Sequence, residues 1–309
     1  MTPGVLILTG QTASGKSALA LQLGERFGAE IVGADSRQIY RGMPIGTAAP
    51  DRDALARVPH HLVGFLDPHE RYSAARFAHD AIAAILGIAG RSKRAIVVGG
   101  TGFYLRALSG DVELSPVRDE ALRTRLAHEA RIHPVGVLAD WLRVLDPALA
   151  ARVPPNDPYR VTRALEIALA SRADPAFGDA PSAPPDASLR RREIGFRKIF
   201  LDLAPERLSA NIEARVDAML AGGLLAEAER IGPDAIAADA VGYREALAYR
   251  AGWSTADELR ALLIRNTRRY AKRQATWFRV EPGLTHVAAD DVAAAAAIAR
   301  SLDGWTEVS

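Results

Sequence analysis

Eight residues near the start of the chain, Gly10-Gln11-Thr12-Ala13-Ser14-Gly15-Lys16-Ser17, match the phosphate-binding pattern G-x-x-x-x-G-K-[ST] at every fixed position. Such a loop works only between a buried strand and a helix, because the phosphate is gripped by backbone N–H groups that converge at a helix N-terminus. Both partners are legible here. The apolar run Val5-Leu6-Ile7-Leu8 reads as a buried parallel strand, and Ala18 to Phe27 as a helix stopped by Gly28. The pattern predicts an α/β fold in which Gly10 to Ser17 cradle phosphate, Lys16 reaches its oxygens and Ser17 ligates Mg2+.

Two further apolar runs continue the sheet. Glu30 to Ala34 reads as a second strand, ending at Asp35-Ser36-Arg37-Gln38. Ligands of open α/β sheets bind at the carboxyl ends of strands, so Asp35 belongs beside the phosphate loop, as a magnesium partner, as a base, or as no more than a turn cap. Ser73 to Ala89 has helical spacing, and Ala95-Ile96-Val97-Val98 is a third strand running into Gly99-Gly100-Thr101-Gly102-Phe103-Tyr104. Thr101 then offers a hydroxyl at the same edge as Asp35, unless the glycines only make a tight turn. Ile39 to Pro50 is too broken by glycine and proline for regular structure and reads as an active-site loop.

Composition removes several classes of chemistry. The chain of 309 residues contains no cysteine, which excludes disulfides, thiolate metal sites and cysteine nucleophiles. His60, His61, His69 and His79 fit no ligand spacing and read as loop and surface residues. No apolar run reaches membrane-spanning length and no charged leader precedes the first strand, so a soluble cytoplasmic protein with no membrane contact is expected; a monomer is expected too, although nothing in the sequence fixes the oligomeric state. A net charge of only +2 means that any polyanion site must come from local clustering.

That clustering occurs in two places. From Asp111 to about Glu193 the sequence turns rich in Leu, Ala, Arg and Pro without a convincing strand, which predicts a helical insertion over 113–193 between two core segments, 1–112 and 194–309. Arg118, Arg123, Arg125, Arg131, Arg143, Arg152, Arg160 and Arg163 are scattered through it, the last two sharing a helix face at a spacing of three. After a strand at Lys198 to Leu203, Pro205 opens a helix with Leu208, Ile212, Val216, Met219 and Leu220 on one stripe and Arg215 bordering it. Thr255-Ala256-Asp257-Glu258 is a capping box whose helix can run to Phe278, carrying Arg265, Arg269 and Arg273 every four residues with Arg268 and Lys272 beside them. Residues 290 to 302 form a last, alanine-rich helix.

Taken in order, these residues resemble the tRNA dimethylallyltransferases, also called tRNA isopentenyltransferases. The phosphate loop, Asp35-Ser36-Arg37-Gln38-Ile39-Tyr40, Arg41-Gly42-Met43-Pro44-Ile45-Gly46-Thr47 and Gly99-Gly100-Thr101 match that family's signatures, as do Pro155-Asn156-Asp157, Val241-Gly242-Tyr243-Arg244 and Lys272 to Arg279. The resemblance implies a parallel sheet of the P-loop NTPase type flanked by helices, with an all-helical insertion domain. It implies transfer of a dimethylallyl group from dimethylallyl diphosphate to the exocyclic amine of the adenosine 3′ of the anticodon in tRNA, with Mg2+. Asp35 would accept the proton, Thr101 would hold the amine or diphosphate, and Lys16 and Arg215 would bind the diphosphate. Contacts to the anticodon stem-loop would come from Asp35, Ser36, Arg37, Gln38, Thr101, Arg123, Tyr159, Arg160, Val161, Thr162, Arg163, Gly242, Tyr243 and Arg244. Two departures stand out: Ala49 replaces the family's usual lysine, and the proline-rich stretch from Ala173 to Ser188 matches nothing in the family. A small-molecule kinase would share the loop and Asp35 but not the basic insertion. An RNA-binding ATPase would need a strand ending in paired acids, which is not apparent.

Overall fold

The computed structural model describes residues 4–112, 114, 120–173 and 188–308. The chain divides into two compact units, Met1–Val112 with Ala187–Ser309 and Glu113–Asp186. The proline-rich stretch and Arg118 lie outside the described residues.

In the first unit, β1 (Val5–Gly10) is buried along its whole length and feeds the phosphate loop and α1 (Lys16–Phe27), which ends at Gly28 in a left-handed conformation. β2 (Ala29–Gly33) follows. The stretch read as an irregular loop contains one helical turn, α2 (Pro44–Thr47), because Pro44 supplies the fixed φ of a first helical position. After α3 (Arg52–Arg57), His60 and His61 form a short strand, β3, on the sheet edge, so they are not simple loop residues. Then come α4 (Ala74–Gly90), capped by the Ser73 hydroxyl accepting the Arg76 N–H, and β4 (Arg94–Val98). The glycine turn after β4 is followed by α5 (Gly102–Ser109).

The second unit is helical: α6 (Glu120–Ile132), α7 (Val135–Leu145), α8 (Pro147–Ala150) and α9 (Pro158–Ala173). Its core gathers Leu126, Leu138, Leu142, Val161 and Leu165.

The chain resumes the sheet with β5 (Phe196–Asp202), then α10 (Pro205–Ala221), α11 (Leu224–Ile231), α12 (Tyr243–Arg250) and the long α13 (Ala256–Phe278), opened by the Thr255/Glu258 capping box. A sixth strand that the sequence does not advertise, β6 (Leu284–Ala288), precedes α14 (Val292–Arg300). The sheet order is β3-β2-β4-β1-β5-β6, with every pairing parallel. One core packs α1 and α14 against the sheet through Leu19, Leu23, Phe27, Ala295 and Ala299. Another joins Ile39 and Met43 to α10–α13 through Ile212, Val216, Tyr243 and Leu263. β4 lies between β2 and β1, so their carboxyl ends bring Thr101, Asp35 and the phosphate loop to one edge. Among the described residues no helix is long and apolar enough to cross a membrane.

Candidate active site

The phosphate loop is shaped by a backbone that only its own residues allow. Gly15 caps α1 at φ 91°, a left-handed conformation that is cheap for glycine alone. Lys16 turns its ammonium back onto the Gln11 carbonyl at 2.6 Å. Outside the loop, two helices hold it. Asn211 on α10 donates to the Ala13 carbonyl at 3.0 Å, and the buried Gln274 on α13 accepts the Thr12 N–H at 2.7 Å while donating to the Gly100 carbonyl at 3.1 Å. Gln11 donates to the Ala271 carbonyl at 3.2 Å. Asn211 is not distinguishable in sequence from other polar positions of its helix, and Gln274 sits inside the Lys272 to Arg279 signature, which by itself assigns it no role.

Asp35 and Thr101 are set by the strand ends they follow. Asp35 Oδ1 accepts the Arg37 N–H at 2.8 Å, a turn-capping bond that leaves the residue lining the cavity beyond. Thr101 Oγ1 accepts the Ser36 N–H at 3.0 Å and lies 3.3 Å from the Ser36 hydroxyl, which locks the two turns together. Arg37 forms an ion pair with Asp239 at 2.6 Å.

The loop after Met43 makes the opposite wall, and its anchor is a residue that sequence reasoning missed. The buried Glu227 carboxylate accepts the Ile45 and Gly46 N–H groups at 3.0 and 2.8 Å and the Tyr243 hydroxyl at 2.6 Å. This fixes the Thr47 carbonyl, which accepts from Gln38 Nε2 and Arg215 Nη2, both at 3.1 Å. Tyr243, expected at the RNA surface, is fully buried instead, and burial together with Glu227 pushes its hydroxyl well above the usual tyrosine range, so it stays a neutral donor. Gly242 lines the cleft and Arg244 is exposed.

Two cavities adjoin at this edge. One, of 370 Å³, is lined by Lys16, Ser17, Gln38, Gly100 and Asn211; the other, of 250 Å³, by Ser36, Thr47, Val216, Met219, Val241 and Leu263. Thr12, Asp35, Arg215 and Tyr270 line both. Burial depresses the Lys16 ammonium from 10.5 to about 8, with Asp35 opposing the shift and Arg215 adding to it. Burial also lowers Arg215, again opposed by Asp35, but an arginine keeps its charge at neutral pH. Burial and Asp35 raise Tyr270, which stays neutral. Ser17 and Asp35 offer hard oxygen donors on one cavity wall, a sparse set that suits Mg2+, an ion that keeps several waters and takes further ligands from phosphate. Among the described residues no group of three or more His, Cys, Asp or Glu is placed to hold a metal by protein ligands alone.

In the helical unit the expected arginines diverge. Tyr159 and Arg160 are exposed, with Arg160 paired to Asp157 at 3.3 Å. Arg163 is turned inward onto the buried Glu166 at 2.5 Å, so the two arginines do not present one open face. Val161 is fully buried in that unit's core, and its side chain is closed to RNA. Thr162 bonds back to the Pro158 carbonyl, and Arg123 is half-buried. On α13 the basic ridge borders a 520 Å³ groove. Arg260 pairs with Asp217 and Arg268 with Glu213, whereas Arg265, Arg269 and Lys272 have no acidic partner among the described residues.

The profile of the IPP transferase family matches residues 38–281. The tRNA dimethylallyltransferase of Geobacter sulfurreducens is 41% identical over 295 residues, covering 92% of this chain and 91% of that one, and its Geobacter metallireducens counterpart is 44% identical over 283 residues, covering 89% of each. Among solved structures, the tRNA isopentenylpyrophosphate transferase of Bacillus halodurans superposes with a TM-score of 0.65 at 35% identity, covering 93% of this chain and 90% of that one. A eukaryotic dimethylallyltransferase described as acting on tRNA superposes with a TM-score of 0.73 at 25% identity, covering 96% of this chain and 78% of its own.

Proposed function

The chain belongs to the tRNA dimethylallyltransferase family, and from that membership and the two adjoining cavities we propose how its residues carry out the transfer. The observation that carries the reading is that Asp35 and Arg215 line both cavities, one walled by the phosphate loop and the other by a mixed polar and apolar surface that includes the Gly242 turn. Dimethylallyl diphosphate places its diphosphate in the loop cavity, held by Lys16, the loop amides and Arg215. The adenosine 3′ of the anticodon enters from the other side. Its exocyclic nitrogen attacks C1 of the dimethylallyl group as the C1–O bond breaks, Asp35 takes the proton from that nitrogen, and diphosphate departs with the bonding electron pair.

Charge grows on the leaving diphosphate during this exchange. Preorganised donors aimed at that charge stabilise the transition state more than the ground state, which is the task a phosphate loop performs in phosphoryl transfer. Lys16 and Arg215 bring cations to it from two different elements. Mg2+, bound through Ser17 and Asp35, would add further charge stabilisation there. Thr101, fixed by Ser36, orients the amine toward Asp35. Exposed Arg160 and the unpaired cations of α13 are suited to the RNA backbone. Incubation with labelled dimethylallyl diphosphate and unmodified tRNA tests the reading: label should appear in the tRNA at the adenosine 3′ of the anticodon. Label that remains in the diphosphate ester, or moves to free nucleotide as readily as to tRNA, would overturn it.

A further inference from the structure

An aromatic pair, one ring exposed and the other half-buried behind it, follows the Thr101 turn, and none of the roles above uses it. Phe103, in the first turn of α5, is 44% exposed, and its ring meets that of Trp277 edge-on at 6.5 Å between centroids. Phe103 stands two residues on from Thr101, and Trp277 lies one turn along α13 from Gln274, which holds the Gly100 carbonyl, so the two rings border the glycine turn that carries Thr101. Trp277 is fixed as its backing. The Arg106 guanidinium, itself paired to Glu281, sits 4.7 Å above the indole, and a Cβ built on Gly102 would fall 2.0 Å from the indole nitrogen. That nitrogen is buried with no acceptor among the described residues. An unpaired buried donor is costly, a cost a leucine here would avoid.

The surrounding charge selects the partner. Lys272, Arg273 and Arg279 are exposed at the same end of α13 and have no acidic partner among the described residues. A solvent-facing ring among unpaired cations suits unstacked nucleic acid, where bases stack on aromatic faces while the backbone follows positive charge. An adenosine that leaves its stack to reach Asp35 bares the faces of its neighbours. We propose that Phe103, backed by Trp277, is the stacking platform for a base adjacent to the target adenosine. The proposal rests on RNA being the acceptor.

The test is a thermodynamic cycle on the full chain, using anticodon stem-loops that carry an abasic site on the 5′ or the 3′ side of the target adenosine, with wild type, Phe103→Ala and Phe103→Tyr. Phe103→Ala should raise the stem-loop KM by about 5-fold to about 150-fold, the loss of one base–aromatic stack, and leave the dimethylallyl diphosphate KM unchanged. Phe103→Tyr should restore it. One of the two abasic loops should bind wild type worse by a similar factor and Phe103→Ala no worse still, since both changes remove the same contact. An unchanged stem-loop KM in Phe103→Ala, or additive losses with both abasic loops, would overturn the platform. Wild type that transfers no label to intact tRNA would overturn the transfer reading itself, a result distinct from either.

Discussion

Raising the pH should loosen the hold on the diphosphate far below the usual lysine range. Lys16 is half-exposed as a residue, but its ammonium folds inward onto the loop, and burial lowers it to about 8 against the Asp35 charge and with that of Arg215. Only the protonated form attracts an anion. The competent fraction of free enzyme therefore falls from about nine-tenths near about pH 7 to about one-tenth near about pH 9, since each pH unit beyond a pKa is a tenfold change. The sign follows from the direction of the shift: a lowered lysine loses its proton early, so binding belongs to the acid side and fades as pH rises through about 8. The terminal phosphate of the substrate ionises near about pH 6 and adds little above about pH 7. Hence kcat/KM for dimethylallyl diphosphate should drop about tenfold across that window, where a lysine at its ordinary pKa would lose almost nothing. Bound diphosphate raises the pKa again, so kcat under saturation should fall later. Initial rates at fixed saturating stem-loop with varied diphosphate substrate measure both. Lys16→Arg, charged throughout, should be slower but flat over the same range. A wild-type profile flat to about pH 10, or the same drop in Lys16→Arg, would refute the reasoning.

Asp35→Asn should bind both substrates yet turn over about a hundredfold or more slowly, and near-normal single-turnover rates would mean that the proton leaves by another route. In Gly46→Ala the new Cβ would fall 2.6 Å from the Tyr243 ring, which is fully buried and cannot withdraw. That overpacking should lower stability by about 1–3 kcal/mol and raise the dimethylallyl diphosphate KM as the Thr47 carbonyl shifts; an unaltered melting curve would count against it. Arg160→Ala should weaken stem-loop binding and reduce its salt slope by about 1, whereas Arg163→Ala strands the buried Glu166 and should cost about 3 kcal/mol in thermal unfolding. Equal effects of the two on salt dependence would show that the inward turn of Arg163 is unimportant.

The central strands and the phosphate loop were readable because β1, β2 and β4 are covered on both faces and appear as continuous apolar runs. The edges obey no such rule. β3 is a histidine pair, and β6 buries only Val287 well, so neither carries enough apolar signal to separate a strand from a loop. Glu227 was hidden for another reason. It lies one turn into an ordinary amphipathic helix, and nothing local separates it from Glu229; its worth comes from Gly46 and Tyr243, far away in sequence. Motif positions misled in the opposite sense at Tyr243 and Val161, which are buried for packing although they sit among residues taken for RNA contacts. The three-residue spacing of Arg163 and Glu166 was visible, but spacing alone cannot say whether an arginine faces water or a carboxylate.

The clasp of Gln274 on the phosphate loop also orders events in time. The phosphate-binding motif is complete within eight consecutive residues, yet the acceptor for the Thr12 N–H and the carbonyl that receives Gln11 lie 262 and 260 residues further along the chain, at Gln274 and Ala271. The first strand likewise waits for both neighbours, β4 and then β5, before either of its edges is closed. A growing chain thus displays the motif long before it has the means to hold it in shape. The clasp on the loop forms only after α13 has emerged, and a fragment ending before α13 should carry the signature without the affinity.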